Sequence, residues 1–307
     1  MSQSTTTEAR KLAHLRLCCE RDVEFSTRTT LLEDVHLVHQ AVPLFSPNEA
    51  DTRVEWLGRT LRAPLLIGAM TGGTPAARGI NRCLAQVAQE LGIGLALGSQ
   101  RAMVEEPALA DTYQVRDVAP DCLLLGNIGL FQARDMTPEA VRGLMEAVGA
   151  DGICVHLNTA MEIFQPEGDQ NFRRGPVTIG RLVKELGGKL IVKETGCGIS
   201  RETAEQLRQM QVKTIDVAGA GGTSWVKIEN LRRGDTAPRE LAALEEWGIP
   251  TAACLLETQR LRLRVIASGG IRSGLDMAKA IALGADLCSC ALPFLRAHEQ
   301  AGADGVR

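Results

Sequence analysis

From about residue 60 onward the chain repeats one pattern. A short apolar run ends in glycine or a polar residue, and a longer stretch follows with apolar side chains every three or four positions. The runs are Pro64–Ala69, Gly94–Leu97, Cys122–Gly126, Gly152–His156, Leu190–Lys193, Thr214–Val217, Leu263–Ala267 and Asp286–Ala291. Most are continuously apolar, as expected of parallel strands covered on both faces. Arg78–Leu91 reads as a helix with Ile80, Leu84, Val87 and Leu91 on one face. Pro138–Val148 does so through Val141, Leu144, Met145 and Val148, Arg201–Gln211 follows Ser200 as its N-cap, and Leu275–Leu283 follows the seventh run. An insertion between the sixth and seventh runs carries its own helix at Glu240–Trp247. Eight such units predict a (β/α)8 TIM barrel, ahead of a doubly wound open sheet. Little chain follows Ala291, so the last helix is expected to be short or absent and the C-terminal helical region truncated.

Residues 1–60 break the rhythm. Glu8–Glu20 reads as a short helix and Val35–Val42 as a mixed, strand-like stretch. This divides the chain into an N-terminal segment, 1–60, and a barrel, 61–307, within a single domain. The 307 residues suit one barrel of roughly 250 residues plus such a segment. With only 3% aromatic residues, the core must be aliphatic. A net charge of −3 gives no basic field for nucleic acid, but a few local arginines can still hold a small anion. No apolar run is long enough for a bilayer and the N-terminus has no signal-peptide core, so no membrane partner is expected and the location is cytoplasmic. The nine cysteines lack metal or redox spacing and are read as reduced.

In a barrel, chemistry gathers where strands end. After the seventh run comes Ser268-Gly269-Gly270-Ile271-Arg272, where glycines let the backbone approach an anion, a helix start offers amides, and Arg272 adds a fork of donors. Ala291 and Leu292 follow the eighth run and can close a phosphate site. Met70, Thr71 and Gly72, then Ser99 and Arg101, Asn127, Lys193, and Thr223 follow other runs. Each alone fits turn chemistry; on one rim they suggest a large ligand across the mouth, with Lys193 suited to a flavin ring. After the fourth run come His156, Asn158 and Glu162, then Gln165, Glu167 and Asp169. Carboxylates near a phosphate site suit Mg²⁺, for which Glu162 is the best placed; Glu167 and Asp169 fit a solvated loop equally well. Arg10, Lys11 and His14 form a basic edge that charge alone does not assign.

These motifs taken together resemble the type 2, flavin-dependent isopentenyl diphosphate isomerases, from about Arg10 to Leu295. The resemblance rests on RKLAH at 10–14, EDVHLVHQ at 33–40, MTGG at 70–73, GSQR at 98–101, HLN at 156–158, FQPEGD at 164–169, VKETGCGIS at 192–200, GAGGTSW at 219–225, WGIPTAA at 247–253 and SGGIRSGLDMAKAIALGAD at 268–286. It implies FMN, Mg²⁺, NADPH as reductant, and isopentenyl diphosphate converted to dimethylallyl diphosphate by proton addition and elimination. By position, FMN would be held by Met70, Thr71, Gly72, Ser99, Asn127, Lys193, Thr223, Gly269, Gly270, Ile271, Arg272, Ala291 and Leu292. Arg10, Lys11, Arg101, His156 and Asn158 would hold the substrate, and Glu162 the metal. Lys193, His156 and position 161 would act in catalysis. It also implies that the N-terminal segment folds over the mouth, within a homo-oligomer (a tetramer or octamer).

The chain departs from that pattern in places. Met161 stands where the family carries glutamine; methionine can pack against an isoprenyl tail but cannot relay a proton. Leu12 and Ala13 replace acidic residues. Met161, with the short C-terminal region, keeps a non-catalytic flavin- or diphosphate-binding homologue as one alternative. An FMN-dependent hydroxy-acid oxidoreductase is another, opposed by the lack of any histidine between His156 and His298.

Overall fold

A computed structural model describes residues 3–165, 168, 171–234 and 239–307. Helix α1 (Gln3–Glu20) leads through an irregular segment to a hairpin, β1 (Val54–Trp56) and β2 (Arg59–Leu61). The barrel then runs β3 (Leu65–Ile67), α2 (Pro75–Leu91), β4 (Gly94–Ala96), α3 (Arg101–Glu105), β5 (Leu124–Gly129), α4 (Leu130–Arg134), α5 (Pro138–Ala147) and β6 (Gly152–His156). It continues with α6 (Thr159–Phe164), α7 (Gly175–Leu186), β7 (Leu190–Lys193), α8 (Arg201–Gln209), β8 (Thr214–Asp216), α9 (Trp225–Arg233), α10 (Arg239–Ala242) and α11 (Thr251–Thr258). Last come β9 (Arg264–Ser268), α12 (Gly274–Ala282), β10 (Leu287–Cys290) and α13 (Leu292–Val306). Strands β3 to β10 close into a parallel barrel in which β10 pairs with β3, so the open-sheet alternative is excluded.

The interior follows from the two-residue period of a strand. Leu66, Ala96, Leu125, Cys154, Ile191, Ile266 and Leu287 form one buried apolar cluster with Trp56 and Leu61 of the hairpin. The hairpin closes the end where strands begin: Leu57 lies against Gly152, and the Arg264 guanidinium sits 3.7 Å from the Trp56 ring centroid. Two residues further along the same strands the chain carries Gly68, Gly98, Asn127, His156, Lys193, Ser268 and Ser289, joined by Asp216 from β8. The barrel therefore passes from an apolar seal to a polar floor within one repeat.

Several expectations change. Val35–Val42 forms no strand; Val38 and Val42 are each 82% exposed. Apolar residues there match a strand by composition, but among the described residues no strand pairs with them. The helix expected over Glu240–Trp247 is one short turn, α10, because turns over residues 243–246 let Glu246 accept backbone N–H groups of Ser26, Thr27 and Arg28 at 2.6–3.1 Å. The last helix is not absent: α13 has 15 residues with a break at Ala301 and Gly302, and it packs against α2. Residues 1–60 do not act as one cover, since α1 lies at the mouth while the hairpin seals the far end. All nine cysteines are free.

Trp56→Ala should destabilise the protein by about 3–5 kcal/mol, because it opens the sealed end of the barrel. Urea unfolding would measure this; a loss under 1 kcal/mol on the same scale would show the hairpin is dispensable.

Candidate active site

The polar floor opens into a cavity of about 260 Å³ ringed by the loops that follow the strands. Of the residues singled out from the sequence, Met70, Thr71, Ser99, Arg101, Asn127, His156, Asn158, Met161, Glu162, Lys193 and Thr223 line it. So do Gly269, Gly270, Arg272, Ala291 and Leu292, and Arg10, Lys11 and His14 reach it from α1. Gly72 and Ile271 do not line it. Gly72 is packed against the Tyr113 ring, and Ile271 belongs to the apolar layer between strands and helices. Glu167 and Asp169 lie outside the described residues.

The glycine turn is built by backbone crowding. A Cβ on Gly269 would sit 2.0 Å from the Gly219 carbonyl oxygen, and one on Gly222 would sit 2.3 Å from the Gly270 nitrogen. Gly269 and Gly270 have φ of +94° and +75°, which favour glycine. The helix expected to offer amides, α12, spends them internally: Ser273 and Asp276 form a capping box, and Asp276 also accepts the Arg272 N–H at 3.0 Å. The next helix, α13, starts without a side-chain cap, and its Ala291 and Leu292 face the cavity. Arg272 is held by Glu24, which also takes Arg296 at 3.4 Å. Any anion that bound Arg272 would therefore share it with Glu24.

The fourth strand's rim is neutral at its base. His156 Nδ1 lies 2.8 Å from Asn127 Oδ1. Burial, with Lys193 nearby, pushes its imidazole down to about 3, so it is uncharged at neutral pH. The proton then sits on Nδ1 and Nε2 presents a lone pair. Burial raises Asp216 and Glu194 above the usual carboxylate range. Asp216 accepts the Ser268 hydroxyl, and Glu194 accepts the N–H groups of Thr195 and Cys197. Lys193 Nζ donates to the Glu194 carbonyl at 2.5 Å. Asn158 Nδ2 donates to Glu162 Oε1 at 2.9 Å.

Helix α1 is clamped to the rim. His14 Nε2 lies 2.8 Å from Glu229 Oε1, and Arg232 donates to the same carboxylate at 2.8 Å. Lys11 Nζ donates to the Gly72 and Ser99 carbonyls at 2.6 and 3.1 Å and to the Tyr113 hydroxyl at 2.9 Å. Burial, then Arg10 and Arg101, lower Lys11 to about 7. Asp216, Glu229, Glu24 and Tyr113 are the site residues that sequence reasoning passed over. Asp216 lies inside an apolar run and was read as strand; Tyr113, the only tyrosine, was the one available composition signal.

The residues fit a flavin phosphate and a divalent cation on structural grounds. Five lining cations, Arg10, Lys11, Arg101, Lys193 and Arg272, face two carboxylates in a chain of net charge −3. The Thr71 hydroxyl is buried with no partner, as expected of a group awaiting a ligand. Among the described residues no group of three metal-ligating side chains forms. A single carboxylate still suits Mg²⁺, which takes few protein ligands and completes its shell with phosphate oxygens and water.

Fold and site together define a flavin-type (β/α)8 barrel. A profile of FMN-dependent dehydrogenases matches residues 158–307. The chain superimposes on a mandelate oxidase structure (TM-score 0.63, 15% identity, all of this chain and 90% of the other) and on inosine 5′-monophosphate dehydrogenase from Legionella pneumophila (0.56, 20%, 85% and 68%), similarities that show the fold alone. The chain is 44% identical to an isopentenyl-diphosphate delta-isomerase of Methanosarcina mazei, over 94% of this chain and 80% of the relative. It is 47% identical to that of a Synechococcus species, over 95% and 85%, and 46% identical to that of Aeropyrum pernix, over 94% and 79%. It belongs to the isopentenyl-diphosphate delta-isomerase family.

Gly269→Ala should cost at least about 2 kcal/mol through strain and backbone overlap. Gly274→Ala, where nothing lies within 4 Å of the added atom, serves as the control. Equal melting temperatures for the two variants would refute the crowding argument.

Proposed function

We propose that this chain converts isopentenyl diphosphate to dimethylallyl diphosphate on reduced FMN, in the cytoplasm, as a step of isoprenoid biosynthesis. The observation that carries this reading is that one cavity joins a glycine-lined phosphate cradle to a separate cluster of basic and amide side chains. FMN when bound supplies an electron-rich ring that stabilises positive charge on the alkene and exchanges protons with it. Thr71, Ser99, Asn127, Lys193, Thr223, Gly269, Gly270, Arg272, Ala291 and Leu292 would hold FMN, with the glycine turn and Arg272 taking its phosphate. Lys193, which lines the cavity, would supply a cation beside the flavin and favour negative charge on it. Arg10, Lys11, Arg101, His156 and Asn158 bind the diphosphate, with Glu162 ligating Mg²⁺, so that binding energy remote from the alkene orients it. Neutral His156 presents only an acceptor at Nε2, so it donates to the diphosphate once the anion's charge draws a second proton onto the ring. Helix α1 excludes water from the mouth. NADPH serves as the reductant that primes the flavin.

The family membership favours this over a non-catalytic binder. A hydroxy-acid oxidoreductase is opposed by the position of His298 on α13, outside the cavity lining. Exposed Leu37, Val38, Val42, Leu44 and Phe45 support assembly into a homo-oligomer.

Anaerobic incubation of the protein with FMN, Mg²⁺, NADPH and isopentenyl diphosphate should yield dimethylallyl diphosphate; flavin bound without product would overturn the reading. Lys11 adds a pH signature. An anion raises its lowered proton affinity, so diphosphate binding takes up a proton above about pH 7 and weakens as pH rises further. Lys11→Met should flatten that slope in calorimetric titrations run in buffers of different ionisation enthalpy.

A further inference from the structure

The start of α6 and the residue that ends it place four cavity-lining side chains together: Asn158, Met161, Glu162 and Gln165. The Gln165 N–H bonds the Met161 carbonyl at 2.8 Å, which puts these side chains one turn apart on the same face. Gln165 is only 3% exposed, and its Nε2 is fully buried with no hydrogen-bond partner. A side-chain NH₂ carries two donors, and folded proteins rarely leave such a group buried and unmet. Asn158 Oδ1, close by in sequence, is likewise buried and unmet. Neither packing nor the fold accounts for a polar amide at position 165; a ligand in the cavity does.

We propose that Gln165 is a substrate-binding residue, its side-chain amide donating to a diphosphate oxygen beside Glu162. This rests on the function proposed above. A donor amide suits an anionic oxygen and gains nothing from a hydrocarbon tail. The flavin phosphate is not its partner on this reading, because the crowded glycines lie in the loops after β8 and β9 whereas Gln165 ends α6, which follows β6. The face of α6 then has two tasks. Met161 offers apolar contact, and Glu162 with Gln165 serves the diphosphate. The amide absent at position 161 is thus present one turn later.

The test uses FMN-loaded protein, Mg²⁺ and inorganic diphosphate in a calorimetric titration, with isopentenyl diphosphate in parallel. Gln165→Met keeps the volume and removes both donors. It should weaken diphosphate binding about ten- to hundredfold, the range for a hydrogen bond to a charged group, and raise KM more than it lowers kcat. FMN affinity should not change, and the ligand-free melting temperature should not fall, since an unmet donor has been removed. Gln165→Glu, which adds repulsion beside Glu162, should weaken binding at least as much. A Gln165→Met protein that binds diphosphate like the wild type overturns the inference and leaves the proposed function standing. A lowered melting temperature with unchanged diphosphate affinity assigns Gln165 to structure and also overturns it. Wild-type protein that binds FMN but neither diphosphate defeats the functional reading first, and this inference with it.

Discussion

The site depends on the two-residue period inside the barrel. One step along each strand separates Leu66, Leu125, Cys154, Ile191, Ile266 and Leu287 from Gly68, Asn127, His156, Lys193, Ser268 and Ser289. Below that step the hairpin's Trp56 and Leu61 exclude water from the sealed end. The polar layer therefore rests on a dry, poorly polarisable floor, and ionisation there is expensive. That is why His156 stays neutral and why Asp216 and Glu194 are pushed toward their protonated forms. A lysine on such a floor acts on its surroundings at short range with little screening.

Above the floor, the cations at the mouth already have partners. Lys11 holds two carbonyls and a hydroxyl, Arg101 pairs with Glu105 at 2.7 Å, and Arg272 pairs with Glu24. An anionic ligand gains only the difference between its own contacts and those it displaces or shares. Under the proposed function recognition would be an exchange, with Glu24, Glu105 and Tyr113, the partners of these cations, setting how much of each contact must be given up. The same contacts tie N-terminal residues to the rim: Glu24 carries Arg272 and Arg296, and Lys11 and His14 anchor α1. The cover and the binding site are in this sense one hydrogen-bonded unit.

The strands were legible because burial on both faces demands continuous apolar runs, and all eight runs became barrel strands. The helices that escaped notice, α3, α4, α6, α7, α9 and α11, lie among glycines, polar motifs or insertions where periodicity is short. Val35–Val42 misled because apolar composition cannot distinguish a paired strand from an exposed segment. The hairpin was missed since two strands of three residues give no period to read. At the site, residues just after strands were readable by position, whereas Asp216 and Glu229 were not. Their roles come from burial and from partners distant in sequence, His14 for Glu229 and Ser268 for Asp216.

The similarity to a mandelate oxidase at 15% identity shows how little of this architecture names a reaction. The glycine cradle needs only close backbone approach between the loops after β8 and β9, a demand any phosphate-bearing cofactor makes. The rim after β6 and the helix α1 face different constraints, because they meet whatever lies beyond the cofactor. Separating the two sides of the mouth lets one vary without disturbing the other. The cavity face of α6 carries Met161 beside polar groups at 158, 162 and 165, while the crowded glycines belong to the loops after β8 and β9.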